Sequence, residues 1–106
     1  MKFDFGSLER PFEAVWPVTV DVPVDGGKVE KQEFSVKFRM LTDDEVKVTD
    51  EQPVPGKALL RIAVVGLDGE VEFTPELLEK LISWPYVRLA MQNAYRQFAV
   101  GIAAKN

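Results

Sequence analysis

The chain has 106 residues, of which 46% are hydrophobic and 28% charged, and its formal net charge is -4. That composition predicts a single soluble domain, residues 1–106, with a core of its own. It argues against non-specific binding to nucleic acid or to an anionic membrane, because both need a clustered basic surface.

Residues 2–12 alternate weakly, with Phe3 and Phe5 on one face, and read as a short strand or an arm interrupted by Pro11. Acids at Asp4 and Glu9 and the lack of an apolar run predict that this segment is not a secretory signal. The longest apolar run, "ALLRIAVVGL", carries Arg61 and is too short for a membrane span.

A β-hairpin is predicted over about residues 13–41, around the turn "DGGK". Its first strand puts Ala14, Trp16, Val18, Val20 and Val22 on one face. Its second puts Phe34, Val36, Phe38 and Met40 on one face. A plain two-residue Gly-Gly loop would set these two sets on opposite faces of the sheet. A slip of one residue flips every side chain, so the buried face decides the register. Pairing Val20 with Phe34, Val18 with Val36 and Trp16 with Phe38 is therefore expected. A three-residue loop, or a bulge at Gly27 or Lys28, would supply the shift. Pro17 and Pro23 lie on the polar face and predict an open or irregular edge on the first strand. Asp21, Lys31, Glu33, Lys37 and Arg39 make the outer face a solvated one. A hairpin alone is marginal, so helices must cover its apolar face.

Residues 42–56 are expected to be a linker. Thr42 and Glu45 fit a capping box, so a short helix can start there before Pro53, Pro55 and Gly56 break it. The next stretch, "KALLRIAVVGL", carries two signals. Val64 and Val65 favour a strand, whereas Leu59, Leu60, Ala63 and Leu67 fall at helical spacing with Gly66 placed to end a helix. The helical reading is preferred, over about 57–66. "LDGEVEF" reads as a turn with room for a short strand. Thr74 and Pro75 predict a helix start, followed by a stripe of Leu77, Leu78, Leu81 and Ile82 over 75–83. Ser83 is expected to cap a last helix over 85–100, which buries Val87, Met91, Ala94, Tyr95, Phe98 and Ile102. Gly101 is expected to loosen its end. The predicted fold class is α+β: an antiparallel hairpin, extended by one or two short strands at most, packed against about three helices in a helical part over 57–104.

The inventory of reactive groups is short. With no His and no Cys, disulfides, thiol chemistry, the commonest general base and most transition-metal sites are removed. Asp43, Asp44, Glu45, Asp50 and Glu51 do not match a spaced calcium loop and read as a capping cluster with a solvated linker. Gly26, Gly27, Gly66 and Gly69 form no phosphate-binding motif. A carboxylate enzyme would need two or more buried acids with raised pKa values, and no spacing singles out such a pair. No catalytic, cofactor or metal residue is expected, and the chain reads as a binding protein rather than an enzyme. "SWPYVR", residues 83–88, brings together Trp84, Tyr86 and Arg88, the types enriched at interface hot spots. The other reading of that segment is core packing plus a helix cap.

In order along the chain stand "WPVTV" at 16–20, "DGGKVE" at 25–30, "KFR" at 37–39, "VVG" at 64–66 with Gly69, "FTPELLEKL" at 73–81 and "PYVR" at 85–88. Together they resemble the tail assembly chaperone family of long-tailed bacteriophages and prophages, over most of residues 10–98. Leu67 stands where the family pattern often has Trp. The resemblance implies a protein that binds the phage tape measure protein and helps recruit tail tube subunits in the cytoplasm of the bacterial host, and that is absent from the finished virion. It implies many copies along a long partner, hence a homo-oligomer. By residue type, Trp84, Tyr86 and Arg88 are the expected partner-binding residues. It further implies a programmed frameshift near the end of the gene, which Ala104, Lys105 and Asn106 can encode as a run of A. The alternative is a structural tail-completion or tube-associated protein retained in the virion.

Overall fold

The computed structural model describes residues 1–10, 12–69 and 71–104. The break expected at Pro11, Glu70 in the expected turn, and Lys105 and Asn106 of the expected slip site lie outside the described residues.

Asp25, Gly26 and Gly27 form the hairpin loop between strands β1, Glu13–Val24, and β2, Lys28–Arg39. Gly26 and Gly27 both have positive φ, 85° and 73°, which only glycine adopts at low cost. This is the three-residue loop expected, and it brings the two apolar sets to one face. The pairs differ from the expected ones by two residues: Val18 faces Phe34, Trp16 faces Val36 and Ala14 faces Phe38. A three-residue loop closes on Val24 and Lys28, and that fixes every later pair. A two-residue displacement preserves the faces because side chains alternate with a period of two.

A third strand, β3, Val64–Asp68, pairs antiparallel with Ser35–Phe38 of β2, so the sheet order is β1-β2-β3. The expected helix over 57–66 is therefore corrected. Helix α2 runs Pro55–Ala63 and the chain turns extended at Val64, with φ -89° and ψ 113°. Two consecutive β-branched residues and a free ladder on β2 outweigh the helical spacing. Val65 is the extra residue of a bulge, since Lys37 faces Gly66 while Phe38 faces Val64. β1 is an edge strand, and Pro17 and Pro23 stand on it six residues apart. Their ring nitrogens thus face one side of the strand, where no ladder is needed.

Within the expected linker, helix α1 occupies Asp43–Asp50. Its capping box is complete: the Glu45 N–H donates to Thr42 Oγ1 at 3.3 Å, and the Thr42 N–H to Glu45 Oε1 at 3.1 Å. Helix α3, Pro75–Ser83, starts at Thr74, whose Oγ1 accepts from the Leu77 N–H. Helix α4, Pro85–Val100, ends at Gly101 with φ 76°; the Ile102 N–H donates to the Gln97 carbonyl and the Gly101 N–H to that of Phe98. That is a Schellman closure. Gly101 stops the helix rather than loosening it, so Ile102 leaves the stripe and is 53% exposed, against expectation. The rest of the stripe is buried: Val87, Met91, Ala94, Tyr95 and Phe98.

α4 packs across β1, with α2 and α3 beside it. Val18, Val36, Phe38, Leu60 and Met91 meet there with no exposed surface. Phe98 is the hub of an aromatic cluster, 5.7 Å from Phe38, 5.6 Å from Trp16 and 5.8 Å from Phe12 between ring centroids. No helix among the described residues is long and apolar enough to cross a membrane.

Tyr95 ties the end of β2 to α4. Its hydroxyl accepts the buried Leu41 N–H at 2.9 Å. Tyr95→Phe leaves that donor unmatched, and a loss of about 1–3 kcal/mol is expected in urea unfolding. Burial pushes the Tyr95 phenol above its ordinary value of 10.0, with the Leu41 bond acting the other way. The neutral form is the one the fold favours. Its contribution is therefore complete below pH 10.0 and is lost as pH rises through the raised folded value. Tyr95→Phe should remove that part of the alkaline slope.

Candidate partner-binding surface

The surface begins with a proline. A residue before Pro is pushed out of helical space, and Trp84 accordingly has φ -92° and ψ 120°. Pro85 is the first residue of α4, so Trp84 alone separates α3 from α4 and serves as the N-cap without a side-chain bond. Ser83 does not cap α4, as had been expected. It is the last residue of α3, and its hydroxyl donates back to the Lys80 carbonyl at 2.7 Å.

This corner turns the indole outward. Trp84 is 61% exposed and Tyr86 is 37% exposed, so core packing does not account for them. Arg88 braces the corner instead: its Nη1 donates to the Ile82 carbonyl at 2.8 Å. One orphan carbonyl at the end of α3 is thereby satisfied by a cation, which also suits the helix dipole. The structure thus brings the three expected residues to one corner, two of them projecting and one holding it. Leu89, three residues from Tyr86 on the same helix side, is 59% exposed and extends the apolar surface. Sequence reasoning passed over Leu89. Its absence from the stripe Val87, Met91, Ala94, Tyr95 and Phe98 was the available signal.

A second apolar surface lies at the other end of α4. Phe12, Ala14, Trp16, Met40, Phe98 and Val100 are among the residues that line an open groove of about 550 Å³. Phe12 is the rim, held by the Met40 N–H, which donates to its carbonyl at 2.8 Å. Earlier in the chain is an N-terminal 3-10 helix, Phe5–Glu9, that buries none of its residues.

Two carboxylates are held in close ion pairs. Arg39 Nη2 donates to Glu45 Oε2 at 2.9 Å and holds the Glu45 carboxyl below its ordinary range, helped by the Thr42 N–H. Glu79 is shifted in the same direction by the two-pronged Arg61 guanidinium, at 2.9 Å from each oxygen. Both shifts run opposite to those of a carboxylate poised to donate a proton.

Comparison of the chain with protein-family models, with curated proteins and with solved structures gave no match. The corner and the groove are therefore interpreted from their own chemistry. Two exposed apolar surfaces, each with aromatic residues, thus lie near the two ends of α4.

Proposed function

We propose that this chain is a tail assembly chaperone of a long-tailed bacteriophage or prophage, a binding protein that holds the tape measure protein soluble and helps recruit tail tube subunits. The observation that carries the reading is the projecting corner, where Trp84, Tyr86 and Leu89 stay in solvent on a braced helix junction. A rigid aromatic surface costs little entropy to dock and suits the apolar stripe of a partner helix. The ordered residue blocks from Trp16 to Arg88 supply the family to which this chemistry is assigned. In this reading the protein works in the host cytoplasm during tail assembly and leaves before the virion is complete.

The alternative, a tail-completion or tube-associated subunit, uses the same surface for permanent attachment. Mass spectrometry of infected-cell lysate and of purified particles separates the two. The expected result is peptides from this chain in the lysate and none in the particles. Stoichiometric recovery from particles would overturn the chaperone reading in favour of the structural one.

A further inference from the structure

The charges of this chain are segregated along its sequence. All 17 acidic residues lie at or before Glu79, whereas Lys80, Arg88, Arg96 and Lys105 follow with no acid among them. Helix α4 is therefore an acid-free element on a chain whose formal net charge is -4. Its outward side has an order of its own. Tyr86, Leu89, Asn93, Arg96 and Val100 are exposed. They recur at intervals of three, four, three and four residues, on the side away from the buried Val87, Met91, Ala94, Tyr95 and Phe98. That is the interval at which a helix presents side chains to a second helix packed along it. The row also joins the two apolar surfaces already described. It starts next to Trp84 at the α3–α4 corner and ends at Val100, which lines the groove, about 21 Å away at about 1.5 Å for each residue.

We propose that this row is a docking track for one amphipathic helix with acidic flanks, laid along α4 from the corner to the groove. The inference rests on the reading of the corner as a docking surface and extends it from Trp84, Tyr86 and Leu89 to the whole helix. The spacing selects a helix as the partner, because a strand presents a side chain at every second residue. Charge selects the partner's flanks. Arg96 makes no ion pair among the described residues. Its aliphatic stem suits apolar partner side chains, while its guanidinium reaches a carboxylate at their edge. Asn93, midway along the row, fixes the register of the partner, as a polar residue within an apolar seam does. A nucleic-acid strand is the poorer match. It carries a charge about every 3.4 Å and needs a row of cations, whereas Arg96 stands in this row among uncharged residues.

Two synthetic helices of about three heptads test this by fluorescence anisotropy with the full chain at physiological salt. Both carry Leu at the a and d positions; one carries Glu at the flanking e and g positions and the other Lys. The wild-type chain should bind the Glu-flanked peptide about tenfold or more tighter than the Lys-flanked one. The net charge of -4 favours the Lys-flanked peptide at any non-specific site, so a preference for Glu places binding on the acid-free helix. Arg96→Glu should reverse the preference. Leu89→Ser should weaken the Glu-flanked peptide about tenfold. Both variants should keep the wild-type melt, since both side chains are exposed. No binding of either peptide, equal binding of the two, or a Glu preference that Arg96→Glu leaves unchanged overturns the track. So does a single-stranded oligonucleotide that binds more tightly than the Glu-flanked peptide and is lost in Arg96→Glu. A tape measure protein captured through Trp84 while Arg96→Glu changes nothing would remove the track and leave the chaperone reading in place. Peptides bound as expected by a chain that captures no tape measure protein would do the reverse.

Discussion

Phe38→Ala is expected to destabilise the fold by about 3–5 kcal/mol, the cost typical of emptying a buried aromatic site. A domain of this size has only about 5–15 kcal/mol in total, so the variant should sit near its unfolding threshold. Phe38 is on the central strand with no exposed surface. It stacks on Phe98 at 5.7 Å and meets the edge of Tyr95 at 5.5 Å. Its cross-strand neighbours are Ala14 on β1 and Val64 on β3, both too small to fill the space it would leave. The bulge that seats β3 also lies at Lys37 and Phe38, so the loss reaches the third strand. Urea unfolding followed by far-ultraviolet circular dichroism measures it. Phe5→Ala is the control: at 76% exposure it should move the monomer by less than about 0.5 kcal/mol. A Phe38→Ala loss no larger than the control's would mean that the sheet face is not the core.

The second large effect is on binding. Trp84→Ala and Tyr86→Ala should each weaken capture of the partner by more than about 1 kcal/mol. The double variant should lose tenfold or more, since about 1.4 kcal/mol is one decade. Trp84→Ala should not lower the melting temperature appreciably, because the indole is 61% exposed, whereas Tyr86→Ala should lower it modestly, because Tyr86 is only 37% exposed. Arg88→Ala is expected to behave differently. It releases the Ile82 carbonyl and should lower the melt together with the affinity. Comparing calorimetric melts with affinities for the same variants separates the projecting pair from the brace. If Trp84→Ala and Tyr86→Ala both bind at full strength, the corner is not the docking surface.

Much of the fold was legible because local signals agreed. The Gly-Gly turn, the alternation on both sides of it, the Thr42–Glu45 capping box and the Thr74–Pro75 start each rest on a short-range rule, and each is realised. The misreadings arose where a local rule met a competing one. Residues 57–66 satisfied a helical period up to Ala63, but the ladder offered by β2 made Val64 and Val65 strand residues, and only tertiary structure carries that information. Ser83 is a good N-cap residue by type. Pro85 nevertheless made Trp84 the cap by fixing where α4 begins. Ile102 kept the spacing of the stripe but fell beyond a left-handed glycine. The candidate site was partly legible: residue types marked Trp84 and Tyr86, while the exposure of Leu89 and the bracing by Arg88 needed the α3–α4 geometry. The groove was not legible at all, because its walls come from β1, β2 and the end of α4.

The most direct measurement is co-expression of this chain with a tape measure protein, the partner proposed above, followed by fractionation and affinity capture. The chaperone reading expects the tape measure protein to be insoluble alone. With the wild-type chain it should become soluble and co-purify, and with the Trp84→Ala/Tyr86→Ala variant it should do neither. A tape measure protein that is equally insoluble with and without the wild-type chain, and that is not retained by it, would contradict the proposed function.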